Sequence, residues 1–189
     1  MATKKKPQRQ RRRRYYDLHE GRNIIISGEL SDEMAPEIIT SLLLMAKEDP
    51  SEVIRIFINS TGGDISVMFA IHDIIRSVPC QIHTIGMGQV MSAGTLLLAC
   101  GHRRYIYENT VVMLHEPYFS SDELKIDSMK KELAINKILR DKMLSLMALY
   151  LSIDCKQLEM DLAAGDKYLT AEEAVKYGLA DEVIKIYKG

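Results

Sequence analysis

Stretches rich in β-branched residues alternate along this chain with stretches of helical periodicity, and this alternation limits the possible folds more than any other feature. The segments "RNIIISG" (22–28), "VIRIFIN" (53–59) and "CQIHTIG" (80–86) are typical of strands. The segments between them, 31–50 and 65–78, repeat apolar residues at helical spacing. Strand and helix in alternation predict an α/β fold of repeated βαβ units with right-handed crossovers.

The second half of the chain continues the pattern with longer helices. We expect a buried helix in "SAGTLLLAC" (92–100), short strands at 103–109 and 111–115, a long helix at 121–150 and a shorter one at 154–163. In "TAEEAVKYG" (170–178), Thr170 and Glu173 predict a capping box and Gly178 the helix end. A last strand is expected in 179–187.

Charge separates a short tail from the rest of the chain. Residues 1–14 carry eight Lys or Arg and no acid, so this segment is predicted to be a disordered basic tail. It is either a solubilising segment or a contact for nucleic acid or an acidic partner. The remaining residues, 15–189, have the size of a single domain, and nearly half of the 189 residues are apolar.

Composition also argues against several classes of protein. No apolar run approaches the ~18 residues of a membrane span, and the charged N-terminus lacks the apolar segment of a secretory signal. Cys80, Cys100 and Cys155 are odd in number and lack metal-ligand spacing, so we expect buried thiols and no metal site. These features predict a reducing location: the cytoplasm, an organelle stroma or matrix, or a host cytoplasm if the protein is phage-encoded.

Three polar loops follow predicted strands: "NSTGG", "GMGQVMS" and "LHEP". The carboxyl ends of parallel strands meet at one edge of a sheet, where ligands bind in open α/β folds. We therefore expect a functional site to form from these loops. "NSTGG" lacks the Lys-Ser/Thr of a phosphate-binding loop, so nucleotide binding is not predicted.

Ser92 has two interpretations from the residues alone. At the start of a helix it is typical of a cap, but the unpaired N–H groups there would also favour a developing negative charge. A nucleophilic serine needs a base, and His115 is a candidate because it ends the strand "VVMLH" just before Glu116 and Pro117. His72, His83 and His102 are more typical of packed or surface residues, with His102 exposed.

Four stretches in order, "INSTGG", "MGQVMSAGTLLLACG", "VVMLHEP" and "DKYLTAEEAVKYGLADEV", resemble the ClpP family, the proteolytic subunits of ATP-dependent Clp proteases. The resemblance covers about residues 22–184. It implies that Ser92 is the nucleophile, His115 the general base and Asp166 the third member of a catalytic triad. It also implies an oxyanion hole from the backbone N–H groups of Gly63 and Ala93. Asp161 lies close to Asp166 in the sequence and is the competing candidate.

The same resemblance implies an architecture and partners. The fold would be the ClpP/crotonase-like fold, a compact head with a projecting helical handle at about 117–150. Heptameric rings would stack into a tetradecamer with the active sites inside, and an AAA+ ATPase would feed unfolded polypeptide into the chamber. ATP would be used by that partner, and no cofactor or metal would be held by this chain.

Two other functions remain as alternatives. Gly165 stands where the family usually has an arginine that couples the rings, and no glycine occurs in "YFSSDELKID" where the handle usually has a Gly-rich strand. These departures favour a non-catalytic ring subunit or scaffold. A crotonase-like acyl-CoA enzyme shares the fold but would not need a Ser, His and Asp set.

Overall fold

A mixed sheet of eight strands forms the centre of this protein, in a computed structural model that describes residues 17–18, 21–118 and 126–186. The strands are β1 (Asp17–Leu18), β2 (Asn23–Leu30), β3 (Ile54–Gly63), β4 (Ile82–Met91), β5 (Arg103–Tyr107), β6 (Val111–Leu114), β7 (Lys167–Leu169) and β8 (Glu182–Ile184). The helices are α1 (Ala35–Glu48), α2 (Ile65–Ser77), α3 (Ala93–Ala99), α4 (Ile126–Leu151), α5 (Cys155–Ala163) and α6 (Ala171–Tyr177).

The order of the strands confirms the predicted parallel α/β architecture. β2, β3, β4, β5 and β8 lie side by side and run parallel, and β1 pairs antiparallel with the outer edge of β2. β4 is shared between two neighbours: its first half pairs with β5, and its last residues, 89–91, pair with β6. β7 then runs antiparallel to β6. This branching of β4 brings three strand ends together.

The core forms where the strands present alternate side chains to the helices. In β3, Ile54, Ile56 and Ile58 are completely buried, as are Leu42 of α1 and Ile71 of α2. Burial of a large aliphatic side chain contributes about 1.5–3 kcal/mol relative to leaving it in water. The core therefore holds β3 and β4 rigidly, and these strands carry the loops in which a site was expected.

Two segments predicted as loops are strand instead. β3 continues through "STGG" to Gly63, and β4 continues through "GMGQVM" to Met91. The register of both strands shifts at these points, and Gly62, Gly63 and Gly88 take positive φ angles. Glycine tolerates such backbone geometry, so the glycines produce irregular strand rather than ending it.

Side-chain caps begin three of the described helices, α2, α5 and α6, and the cap of α6 is the one that the sequence predicted. Asp64 caps α2 by accepting hydrogen bonds from the N–H groups of Ser66 and Val67, at 2.6 and 3.0 Å. Thr170 and Glu173 form the predicted capping box of α6, and Gly178 ends that helix with a φ of 92°. These caps determine where α2 and α6 leave the preceding strands.

The long helix α4 divides into two halves. Its C-terminal half packs on the head through side chains that are at most 8 % exposed, namely Met143, Leu144, Met147, Ala148 and Leu151. Its N-terminal half exposes large apolar side chains, including Leu133, which is 70 % exposed, and Ile138 at 55 %. The described part of the helix starts at Ile126, and residues 119–125, where the sequence predicted its beginning, lie outside the described residues. The first half of α4 therefore leaves large apolar side chains in contact with solvent.

The cysteine prediction is wrong at one position. Cys80 and Cys100 are buried, but Cys155 is exposed because it occupies the first turn of α5 next to the cap residue Asp154. His102 is half-buried rather than exposed, because its Nδ1 accepts a hydrogen bond from the N–H of Ile82 at 3.0 Å. The basic tail, residues 1–14, lies outside the described residues.

None of the helices in the described ranges combines the length and the apolar character needed to span a membrane.

Candidate active site

Ser92 lies on a strained turn between β4 and α3. Its φ of 51° and ψ of −128° are outside the regions that non-glycine residues ordinarily adopt. Its N–H donates to the carbonyl oxygen of Met113 at 2.8 Å, and its carbonyl oxygen accepts from both the N–H and the hydroxyl of Thr95. Strain of this kind costs about 1–3 kcal/mol and occurs mainly at functional sites.

The side chain of Ser92 does not cap the helix that follows it. It makes no hydrogen bond to the N–H groups of the first turn of α3. Instead its Oγ lies 2.6 Å from Nε2 of His115. Of the two interpretations of Ser92, the structure therefore supports the pair of a hydroxyl and a base that nucleophilic catalysis requires.

Strand register explains why these two residues meet although they are far apart in the sequence. Met91 of β4 pairs with Met113 of β6 in parallel, and Ser92 and His115 follow these residues by one and two positions. On the other side of β6, Leu114 pairs with Lys167 of β7 in antiparallel register. The residue after Leu114 is His115 and the residue before Lys167 is Asp166. β6 thus brings His115 beside both Ser92 and Asp166.

The structure separates the two candidate aspartates by their environments. Asp166 and His115 line the same cavity of about 410 Å³. Asp161 is engaged elsewhere: it accepts hydrogen bonds from the hydroxyl of Tyr177 at 2.6 Å and from Nε2 of Gln157 at 2.8 Å. These bonds hold the pKa of Asp161 below its ordinary value. Asp166 is the aspartate placed near the base, although no hydrogen bond joins it to His115 among the described residues.

Of the two residues expected to form an oxyanion hole, Ala93 follows Ser92 directly and Gly63 follows Gly62, which lies beside the serine turn. Ala93 is the first residue of α3 and is buried. A methyl group placed on Gly62 would lie 2.5 Å from Cβ of Ser92 and 3.1 Å from the backbone nitrogen of Ala93, so the Gly62–Gly63 segment passes directly beside the turn. The N–H of Gly62 donates to Oγ of Ser60 at 3.1 Å, so it is already used. The backbone N–H groups of Gly63 and Ala93 remain the predicted donors to an oxyanion.

Tyr118 contacts His115, and Glu116 and Arg140 form an ion pair beside it; none of the three was predicted as a site residue. Tyr118 packs edge-on against the imidazole, with ring centroids 5.3 Å apart. Glu116, the next residue after His115, accepts hydrogen bonds from Arg140 of α4. The opposite charges of Glu116 and Arg140 are 24 positions apart in the sequence, so no local pattern could have paired them.

The cavity combines apolar and acidic side chains. Met113, Tyr118 and Leu162 line it together with Glu116 and Asp166. Among residues 17–18, 21–118 and 126–186, no group of three His, Cys, Asp or Glu side chains is placed to hold a metal ion. The chemistry that this arrangement can perform with its own groups is acyl transfer through a serine hydroxyl and an imidazole base.

Comparisons with known proteins agree with this geometry. A family described as Clp protease matches residues 6–187. The chain is 33 % identical over 178 residues to ATP-dependent Clp protease proteolytic subunit 4 of Streptomyces avermitilis, covering 92 % of this chain and 77 % of that protein. Subunit 2 of Streptomyces coelicolor is 33 % identical over 178 residues, with 92 % and 80 % covered. Subunit 2 of Frankia casuarinae is 35 % identical over 179 residues, also with 92 % and 80 % covered.

The match extends from the segment before β1 to the segment after β8 and so includes every strand that contributes to the Ser92 site. Identity of about one third is maintained over nearly the whole chain with each of the three relatives. This chain therefore belongs to the Clp protease family.

Proposed function

We propose that this chain is a ClpP-type serine endopeptidase in which Ser92 is the nucleophile, His115 the general base and Asp166 the group that orients the base. The observation that carries the assignment of roles is the 2.6 Å contact between Ser92 Oγ and His115 Nε2 on a strained turn. The family and the names of the relatives support the peptidase class.

In the proposed mechanism, Ser92 Oγ attacks the carbonyl carbon of a peptide bond while His115 Nε2 accepts the hydroxyl proton. The carbonyl oxygen becomes an oxyanion and receives hydrogen bonds from the N–H groups of Gly63 and Ala93. The protonated His115 then donates its proton to the leaving amine. A water molecule, deprotonated by His115, cleaves the acyl-enzyme and restores the Ser92 hydroxyl. Asp166, which lines the same cavity as His115, is proposed to accept a hydrogen bond from Nδ1–H during the reaction and so to stabilise the imidazolium.

The test is hydrolysis of a short fluorogenic peptide, with native mass recorded on the same samples. We expect Ser92→Ala to abolish turnover and Ser145→Ala, an exposed serine of α4, to leave it unchanged. Asp166→Asn should lower kcat about ten-thousandfold, as loss of the orienting carboxylate does in such triads. Asp161→Asn should retain most of the activity. Turnover that survives Ser92→Ala would refute the assignment.

We further propose that the enzyme works as an assembly. The exposed apolar half of α4 supports a role of the handle in contacts between copies, such as stacked heptameric rings forming a tetradecamer. The relatives are named as subunits of ATP-dependent proteases, which supports docking of an AAA+ ATPase that supplies unfolded polypeptide and consumes the ATP. This chain would then need no cofactor of its own. The free cysteines support a reducing location such as the cytoplasm.

The alternative functions receive less support. A scaffold subunit would not require the hydrogen bond between Ser92 and His115 or the strain at Ser92. The relatives reported above are all named as proteolytic subunits, and none is named as an acyl-CoA enzyme. Contact of the basic tail with nucleic acid would be compatible with proteolysis, and steep weakening by salt would reveal it.

A further inference from the structure

Arg140 occupies the point on α4 at which the helix leaves the head. Two residues before it, Ile138 is 55 % exposed, and three residues after it, Met143 is only 8 % exposed. The side chain of Arg140 is 28 % exposed, so it is partly shielded from solvent. A charge in this position interacts more strongly with its partners than a fully solvated one would.

The guanidinium of Arg140 contacts carboxylates on three different segments. Its Nε and Nη2 lie 2.7 and 2.6 Å from Oε1 of Glu116, and its Nη1 lies 3.1 Å from Asp141 of α4 and 3.3 Å from Glu159 of α5. The hydrogen bond to Glu116 is the largest cause of a raised pKa of Arg140. The guanidinium is planar and rigid, so its two contacts with Glu116 fix the orientation of the two side chains as well as pairing their charges.

Glu116 is well placed to transmit this contact to His115. It lies between His115 and Pro117, and the proline restricts it to an extended backbone. On the N-terminal side, β6 holds His115 through its pairing with β4 and β7. On the C-terminal side, β6 ends at Leu114, and the side chain of Glu116 contacts Arg140. The chain is therefore held on both sides of His115.

We propose that Arg140 is a positioning residue that acts through Glu116 to hold His115 in hydrogen-bonding distance of Ser92. This inference rests on the proposed function, because it assumes that His115 acts as the base. It gives α4 a specific role near the head, because the helix that extends away from the head also aligns the imidazole of His115. The polar and titratable groups that face or adjoin His115 are Ser92, Glu116, Tyr118 and Asp166.

The test compares variants of the full chain in peptide hydrolysis and in the rate at which a fluorophosphonate labels Ser92. We expect Arg140→Gln and Glu116→Gln each to lower kcat and the labelling rate about tenfold, with KM changed less than about twofold, because loss of alignment affects the reaction more than binding. Arg140→Lys keeps the charge and should recover part of the loss. Glu159→Gln is the matched control, because it changes another carboxylate that contacts Arg140, and Glu159 is about as exposed as Glu116. The activity of this variant should stay within about twofold of the wild-type activity.

The pH profile distinguishes positioning from a general loss of structure. Arg140→Gln leaves the Glu116 carboxylate unneutralised beside His115, so the acidic limb of kcat/KM should move to higher pH. Glu116→Gln removes the negative charge next to His115, while Arg140 keeps its contacts with Asp141 and Glu159, so the limb should move to lower pH. Shifts of roughly half a unit are expected for partly screened charges. Opposite shifts would not follow from mere destabilisation.

Either of two results would overturn the inference. In the first, Arg140→Gln and Glu116→Gln both keep wild-type activity and labelling, while Ser92→Ala abolishes turnover. This result would overturn the inference but leave the proposed function intact. The other is an equal loss in Glu159→Gln. Wild-type protein that neither cleaves peptide nor labels at Ser92 would overturn the proposed function and the inference together. Native mass and the thermal midpoint identify any variant that has failed to fold.

Discussion

At the scale of single residues, Gly62 is the position on which the geometry of the serine turn depends most. Its φ is 92°, and a methyl group there would lie 2.5 Å from Cβ of Ser92 and 2.9 Å from the carbonyl oxygen of Met91. Neither neighbour can move easily, because one is the strained turn itself and the other is backbone in β4. The turn thus requires glycine for two reasons, its conformation and its lack of Cβ.

We expect Gly62→Ala to lower peptide hydrolysis at least roughly tenfold, because displacement of Ser92 separates it from His115. The thermal midpoint should fall as well. Gly28→Ala is the matched control, since Gly28 has the same φ of 92° but nothing within 4 Å of an added methyl group. It should cost only the strain of a left-handed residue, about 1–2 kcal/mol, with activity retained. Equal losses of activity in both variants would show that backbone conformation, not the collision, is responsible.

At the scale of secondary-structure elements, Arg104 of β5 connects the last part of the chain to the sheet. Its side chain donates to both Asp181 and the carbonyl oxygen of Gly178, and its backbone N–H donates to Asp181 at 2.8 Å. Burial raises the pKa of Asp181, but the hydrogen bonds and the charge of Arg104 outweigh burial, and the net pKa lies below the ordinary 3.8. Asp181 precedes β8, so this cluster fixes that strand against β5.

The lowered pKa of Asp181 determines the sign of its contribution to stability. A carboxylate with a lowered folded pKa contributes stability that is fully present above its unfolded pKa and is lost as pH falls through the folded value. We expect Asp181→Asn to be less stable than wild type near neutral pH, and the difference to narrow from about pH 5 to about pH 3. Urea unfolding across this range measures it. A difference independent of pH would indicate that the charge of Asp181 contributes nothing.

At the scale of the whole molecule, the exposed half of α4 is the surface best suited to association with another protein chain. Large apolar side chains on this half are about half to two-thirds exposed, namely Met129, Leu133, Ile135 and Ile138. Exposure of apolar surface to water is unfavourable by about 25 cal/mol for each Å² of that surface. Association of copies through α4 would remove that exposure.

We expect Leu133→Lys to reduce the native mass, because a charged side chain would oppose association through this half of α4. The matched control is Met160→Lys, which changes an apolar residue of α5 that is 55 % exposed. That variant should keep the native mass of the wild type. Analytical ultracentrifugation provides the measurement. An unchanged native mass for Leu133→Lys would show that Leu133 takes no part in the contact between copies.

The sequence by itself determined the elements and their alternation, since hydrophobic periodicity and cap residues are local signals. The capping box at Thr170 and Glu173 and the helix end at Gly178 could be located from a few neighbouring residues. Ser92 and His115 could be proposed as site residues because both follow predicted strands, and the family motifs added Asp166. The sequence could not decide between a cap and a nucleophile for Ser92, because both need a serine at a helix start.

Tertiary structure decided which strand ends meet. β7 is only three residues long and was not expected from the sequence, yet its antiparallel pairing with β6 brings Asp166 beside His115. Ser92 contacts His115 rather than the N–H groups of α3 because β4 branches from β5 to β6. Arg140 reaches Glu116 across 24 positions of sequence. Such contacts depend on strand register and on packing between distant segments, which no local pattern of residues encodes.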